Sequence, residues 1–79
     1  MNCMEFMRWL NSNAIFECSA PLRHTFEPIR GFWSIEGTGL DRVIVVMDTS
    51  FNELCKVQMI ETPSKLEDAR KEISKIFEL

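Results

Sequence analysis

The stretch that most constrains the fold is Asp41–Glu61, which reads DRVIVVMDTSFNELCKVQMIE. It holds five consecutive apolar residues, Val43–Met47, then a polar break, then a run in which apolar and polar residues largely alternate, Leu54–Ile60. Alternation is typical of a half-buried strand, and an unbroken apolar run is typical of a strand covered on both faces. The stretch therefore predicts a β-hairpin in the middle of a small sheet.

The turn of this hairpin, residues 48–53, is longer than a tight two-residue loop and carries Phe51 near its tip. The ring of Phe51 either folds back over the core or lies exposed as a contact for a partner. Because the removal of apolar surface from water is favourable, the sequence favours the folded-back position.

Two amphipathic helices are predicted at the ends of the chain. In residues 3–12, apolar residues recur at helical spacing, and Asn2 can cap the start. Near the C-terminus, Pro63 favours a helix start, and Ser64 with Glu67 is a candidate capping box. The apolar stripe of this second helix consists of Leu66, Ala69, Ile73, Ile76 and Phe77.

Two further strands are predicted between the first helix and the hairpin. Ala14–Ala20 alternates with period two and is ended by Pro21. Residues 26–36 contain Pro28 and Gly31, so we expect a broken or edge strand with a bulge near these residues. The expected order is α-β-β-β-β-α: an antiparallel sheet of three to four strands with both helices on one face. This is a two-layer α+β sandwich, and residues 1–79 form a single small domain.

Composition narrows the function classes. The chain has 79 residues, 46% of them apolar, and a net charge of −3. A nucleic-acid binder gains affinity by neutralising phosphates with Lys and Arg, so the acidic balance disfavours that role. The three cysteines form no CxxC pair, which indicates reduced thiols and a cytoplasmic location. No apolar run approaches the length needed to cross a membrane, and no signal peptide is recognisable.

The candidates for catalysis and metal binding are few. His24 is the only histidine and could act as a base for the thiol of Cys18 or Cys55. Such a site also needs an orienting group and an oxyanion donor, and neither is identifiable. A structural zinc site needs about four ligands with paired spacing, which this chain lacks. We therefore expect no enzyme activity, no metal and no cofactor.

A segment rich in cationic and aromatic residues precedes the hairpin, at residues 21–36. Its aromatic residues either fill the core or form a binding surface. Arg and Trp are typical of protein-interface hot spots, and the same composition is used to stack bases and hold phosphates. The predicted partner-binding residues are Arg23, His24, Arg30, Trp33 and, as an outlying candidate, Phe51.

Ala20–Phe26, APLRHTF, is loosely similar to the double-stranded-RNA-binding domain, whose order α-β-β-β-α has one strand fewer than the order expected here. The resemblance implies a nucleic-acid-binding module. Such domains place a lysine cluster at the start of the last helix, where this chain has Ser64–Asp68, SKLED. The phosphate-binding feature of that family is therefore absent.

These observations predict a small, acidic, non-enzymatic protein-binding domain. It would act as a regulator, as an inhibitor of the phage-inhibitor or immunity-protein type, or as an accessory subunit. The alternative is a nucleic-acid-binding module that uses the 21–36 segment. A homodimer could also form by pairing an exposed edge strand in the 14–36 region, because unpaired strand edges are templates for association.

Overall fold

The computed structural model describes residues 1–18 and 28–79. Within them, a short 3₁₀ turn, Gly39–Asp41, lies between the second and third strands. The α+β class and the α-β-β-β-β-α order are confirmed. The elements are α1 (Cys3–Ser12), β1 (Ile15–Glu17), β2 (Gly31–Glu36), β3 (Val43–Asp48), β4 (Glu53–Gln58) and α2 (Pro63–Ile76).

The four strands form one mixed sheet in the order β1-β2-β3-β4. β1 runs parallel to β2, with Ile15 opposite Gly31 and Glu17 opposite Trp33. The pairs β2–β3 and β3–β4 are antiparallel. The prediction of an antiparallel sheet is therefore wrong for β1 and β2. A parallel pair needs a connection of about a dozen residues or more, and residues 18–30 separate β1 from β2 along the chain.

The position of β2 also differs from the prediction. β2 is hydrogen-bonded to β1 on one side and to β3 on the other, so it is an inner strand, and β1 and β4 are the edges. Pro28 lies before β2 begins, where its missing N–H removes no bond from the ladder. The irregularity that the structure shows in the sheet is not the bulge predicted near Pro28 and Gly31. It is a shift of register between Val46 and Met47, where β3 pairs with β4. Of the predicted strand Ala14–Ala20, residues 19–20 lie outside the described part.

The hydrophobic core joins both helices to the sheet. Successive side chains of a strand point to opposite faces of the sheet, so Ile44 and Val46 of β3 share one face. Trp33 lies opposite Val46 and Val57 lies opposite Ile44 in the neighbouring strands, so all four side chains face the same core. Each fully buried side chain of this size contributes about 1.5–3 kcal/mol. The core cluster consists of Phe6, Leu10, Ile15, Trp33, Ile44, Val46, Val57, Leu66, Ala69 and Ile73.

Side-chain caps begin both helices. Asn2 Oδ1 accepts from the backbone N–H of Glu5 at 2.8 Å, and Glu5 Oε1 accepts from the N–H of Asn2 at 3.1 Å. In α2 the cap is Thr62, whose Oγ1 accepts from the N–H of Lys65. Pro63 is the first helical residue, a position that suits its fixed φ, so the cap must precede it. The predicted capping box of Ser64 with Glu67 is therefore wrong.

Across residues 1–18 and 28–79, no helix is both long enough and apolar enough to span a bilayer. α2 has one buried stripe, formed by Leu66, Ala69 and Ile73, as an amphipathic helix on a protein core does. The prediction is wrong for Ile76, which lies at the end of the helix and is exposed.

Candidate functional site

Trp33 lies in the core and not on the surface. Its side chain is only 4% exposed, and its indole Nε1–H donates to Asn11 Oδ1 at 3.1 Å. A buried indole with a satisfied N–H is a packing residue. In this position Trp33 offers almost no surface to a partner. It could affect binding only by holding the strand to which it belongs.

Phe51 lies at the tip of the β3–β4 turn and is 62% exposed. Its ring stacks on Phe32, with centroids 5.1 Å apart and an interplanar angle of 12°. Phe32 is adjacent to Trp33 in β2, so it lies on the sheet face opposite the core. The ring of Phe51 does not fold over the core as the sequence favoured. It rests on the other face of the sheet and leaves most of its surface open.

The carboxylate of Asp48 holds the turn that carries Phe51. It accepts hydrogen bonds from the backbone N–H of Ser50 at 2.9 Å and of Asn52 at 3.0 Å, and from Asn52 Nδ2 at 3.1 Å. The bonds from Asn52, joined by the bond from Ser50, lower the pKa of Asp48 below its usual value. The turn is therefore organised around a charged acceptor.

The backbone at Phe51 has φ +63°, in the left-handed region that non-glycine residues seldom adopt. The N–H of Phe51 donates to the carbonyl of Asp48 at 3.0 Å, which fixes this conformation together with the side-chain bonds. The unfavourable backbone is retained because the surrounding hydrogen bonds determine it. The backbone of the turn and the stack on Phe32 together position the ring.

The sheet face under Phe51 is apolar at this end. Phe16 lies opposite Phe32 in β1, and Met47 lies opposite Phe32 in β3, so the three side chains form a row across the sheet. All three are partly buried. We call Phe16, Phe32, Met47 and Phe51 the aromatic patch.

Arg30 lies at the same end of the molecule as the aromatic patch. It directly precedes β2, is exposed, and its backbone N–H donates to the carbonyl of Ala14 at 2.9 Å. Its guanidinium Nη1–H donates to the carbonyl of Phe77 at 3.5 Å. The structure therefore brings two predicted site residues, Arg30 and Phe51, to one end of the sheet. Arg23 and His24 lie outside the described residues.

Two features of this surface were missed from the sequence. The first is Phe32 as the support for Phe51. The second is the Asp48 turn, although Asp48 and Asn52 flank a short polar loop and such side chains commonly bond to nearby backbone N–H groups. The spacing of these two residues was the available signal.

Burial raises the thiol pKa of two described cysteines, Cys3 and Cys55. Burial, followed by the negative charges of Glu72 and Glu53, raises the pKa of the Cys55 thiol. The thiolate is the nucleophilic form, so a raised pKa makes Cys55 less reactive at neutral pH. Cys18 is exposed. In the part of the chain that the structure describes, no group of three or more His, Cys, Asp or Glu residues could hold a metal ion.

Comparisons with protein-family models, with curated proteins and with solved structures each found no match. No function is therefore transferred from another protein. The function must therefore be inferred from the aromatic patch, from the charges around it and from the edge strands of the described sheet.

Proposed function

We propose that this chain is a small, non-enzymatic, cytoplasmic protein-binding domain that acts as a regulator, an inhibitor or an accessory subunit. The observation that carries the proposal is Phe51, a large aromatic ring that is 62% exposed and stacked on Phe32. Exposed aromatic anchors that fill a pocket of a partner supply much of the binding energy in protein interfaces. The aromatic patch is the proposed centre of the contact.

The rigidity of the turn supports this role. Binding is weakened when side chains and loops must be ordered at the interface, and prior ordering reduces that cost. The bonds from Ser50 and Asn52 to Asp48 order the turn before any partner arrives. Phe51 is therefore preorganised for insertion into an apolar cleft.

The charge beside the patch indicates the chemistry of the partner. Arg30 is exposed at the same end of the sheet, and the predicted contact residues Arg23 and His24 precede it in the chain. We infer that the partner offers an apolar cleft for Phe51 with carboxylates at its rim facing Arg30. Complementary rim charges speed association and select the orientation of the complex.

We further infer that both helices cover the same sheet face, which leaves the face of Phe32 for the partner. One core cluster contains Phe6 and Leu10 of α1 together with Leu66 of α2. The guanidinium of Arg70 in α2 also lies 5.9 Å from the ring centroid of Trp9 in α1, a cation–π distance. These contacts support a two-layer arrangement.

The experiment is affinity capture with the immobilised chain from the cells that produce it, with and without nuclease, over a range of salt concentrations. The proposal expects a protein retained in a fixed ratio after nuclease treatment. Retention of nucleic acid that falls steeply with salt would instead favour the alternative module built on residues 21–36.

A homodimer through the edge strand β1 remains a separate proposal. Within the described residues β1 pairs with β2 alone, and edge strands favour pairing with another chain, although three residues make a short edge. Sedimentation of the purified chain over a hundredfold concentration range tests it. Concentration-dependent dimerisation with added protection of the β1 amides from hydrogen exchange would support pairing through β1, and a monomer at every concentration would exclude it.

A further inference from the structure

The second edge of the sheet, β4, carries backbone groups that point away from the protein. The N–H of Met59 donates to the carbonyl of Arg42, in register with the β3–β4 ladder. Hydrogen-bonded and non-hydrogen-bonded pairs alternate in an antiparallel ladder. Val57 is therefore bonded to β3, while the backbone groups of Lys56 and Gln58 face outward.

Most of the outward backbone groups of Lys56 and Gln58 have no hydrogen-bond partner in the described part of the chain. The carbonyl of Gln58 accepts from the N–H of Glu61 at 3.2 Å. Within residues 1–18 and 28–79, no turn, loop or side-chain hydrogen bond reaches the N–H of Gln58 or the N–H and C=O of Lys56. They are free to pair with an added strand.

A groove runs beside this edge, between β4 and α2. We call its most buried lining residues, which are small and apolar, the floor: Cys55, Val57 and Ala69. Alternate side chains of a strand added to β4 would point toward this floor, while its main chain met the free groups of β4. The groove is lined by Cys55, Lys56, Val57, Gln58, Glu61, Lys65, Asp68, Ala69 and Glu72.

The charges in the groove are unbalanced. Lys56 Nζ lies 3.7 Å from a carboxylate oxygen of Glu53, and Lys65 Nζ lies 3.6 Å from one of Glu61, so both lysines are neutralised. Asp68 and Glu72, one helical turn apart on α2, have no ion pair in the described part of the chain.

We propose that the groove binds an extended, basic segment of a partner protein, which adds to β4 as a fifth strand. Its main chain would pair with Lys56 and Gln58, its small apolar side chains would cover the floor, and its Lys or Arg residues would meet Asp68 and Glu72. A second copy of the chain is a poorer occupant, because it would bring another Asp68 and Glu72 and a net charge of −3. The groove does not include the aromatic patch, so the two proposals can fail separately.

The test titrates a synthetic peptide of alternating Lys and Val, seven residues long and blocked at both ends, into the ¹⁵N-labelled full chain. An alternating Glu and Val peptide is the matched control. We expect saturable shifts and slowed hydrogen exchange at the N–H of Lys56 and Gln58 with the basic peptide only. Absence of saturable binding, equal binding of the acidic peptide, or shifts confined to other surfaces would overturn the proposal.

Two sets of variants separate the main-chain contribution from the charge contribution. Lys56→Pro removes the outward N–H while the bonds to β3 remain, and we expect at least tenfold weaker peptide binding. Lys56→Ala keeps that N–H and should change binding less than threefold. The double variant Asp68→Asn with Glu72→Gln should weaken peptide binding severalfold. If Lys56→Pro does not fold, this double variant is the test of whether the peptide binds in the groove. Unchanged binding in the double variant contradicts the assigned ligand charge.

Two controls address the other occupant and the other surface. Sedimentation of the chain alone should show no dimer that depends on β4. If a dimer forms and Lys56→Pro dissociates it, a second copy of the chain is what occupies the groove. Phe51→Ser should bind the basic peptide as the wild type does. Loss of peptide binding in Phe51→Ser would contradict the assignment to the groove.

Discussion

The indole N–H of Trp33 donates to the side-chain oxygen of Asn11, 3.1 Å away, and joins β2 to the last turn of α1. Trp33 is 4% exposed, so its N–H has little access to water if that acceptor is lost. A buried donor without a partner costs about 1–3 kcal/mol.

The first prediction follows from this bond. Asn11→Ala should lower the free energy of unfolding by about 1–3 kcal/mol, measured by urea denaturation. Ser12→Ala, the neighbouring exposed position, is the control and should change it by about 0.5 kcal/mol or less. Equal effects of the two substitutions would show that the Trp33 bond does not contribute.

The second prediction concerns the close approach at Gly31. A Cβ at this position would lie 2.3 Å from the backbone oxygen of Met47 and 3.0 Å from the ring of Phe77. A backbone atom cannot rotate away, so β2 and β3 would have to shift. Gly31→Ala should destabilise the fold by roughly 1–3 kcal/mol or more. A thermal melt unchanged from the wild type would contradict the β2–β3 register.

The third prediction tests the buried stripe of α2. Ile73 is fully buried and Ile76, on the same helix, is 43% exposed. Ile73→Ala should cost about 2–5 kcal/mol through lost burial and the cavity left behind. Ile76→Ala is the matched control and should cost less than half as much in the same denaturation assay. Similar losses at both positions would mean that the stripe is wrongly assigned.

The fourth prediction is a pH dependence of the Phe51 turn. The hydrogen bonds from Asn52 and Ser50 lower the pKa of Asp48 in the folded chain. A lowered carboxyl pKa stabilises the fold fully above the unfolded value, about 3.9, and this contribution is lost as pH falls through the lower folded value. The stability difference between the wild type and Asp48→Ala should therefore shrink below about pH 4.

NMR measures the same event locally. The backbone N–H signals of Ser50 and Asn52 should titrate together with the Asp48 carboxyl, with a midpoint below about 3.9, the value of an unperturbed aspartate. A midpoint at or above about 3.9 would contradict the role of Asp48 in holding the turn.

Helices and the hairpin were predictable because their signals are local. Leu66, Ala69 and Ile73 recur at helical spacing, and the burial of these residues follows from that spacing. Val43–Met47 reads as a continuous apolar run, and the structure places its strand, β3, inside the sheet. In both cases neighbours along the chain determine the pattern. The second strand of the hairpin, β4, is an edge of the described sheet, so the prediction that the whole hairpin forms the middle of the sheet is wrong.

Pairing and exposure were not predictable, because they depend on residues distant in sequence. Nothing in the alternation of residues 14–20 distinguishes a parallel neighbour from an antiparallel one. The burial of Trp33 depends on Asn11, and the position of Phe51 depends on Phe32 and on the bonds to Asp48. The cationic and aromatic residues of the 21–36 segment indicated a binding surface. In the structure Trp33 lies in the core, while Arg30 is exposed.

The affinity of the captured partner for variants of Phe51 tests the proposed function most directly. Isothermal calorimetry would compare the wild type with Phe51→Ser and with Leu40→Ser, a control residue that is 77% exposed at the opposite end of β3. Matching thermal melts would establish that all three chains fold. Phe51→Ser should weaken binding by about thirtyfold or more, as a hot-spot residue does, and Leu40→Ser by less than about twofold. Full affinity in Phe51→Ser would contradict the aromatic patch as the binding surface.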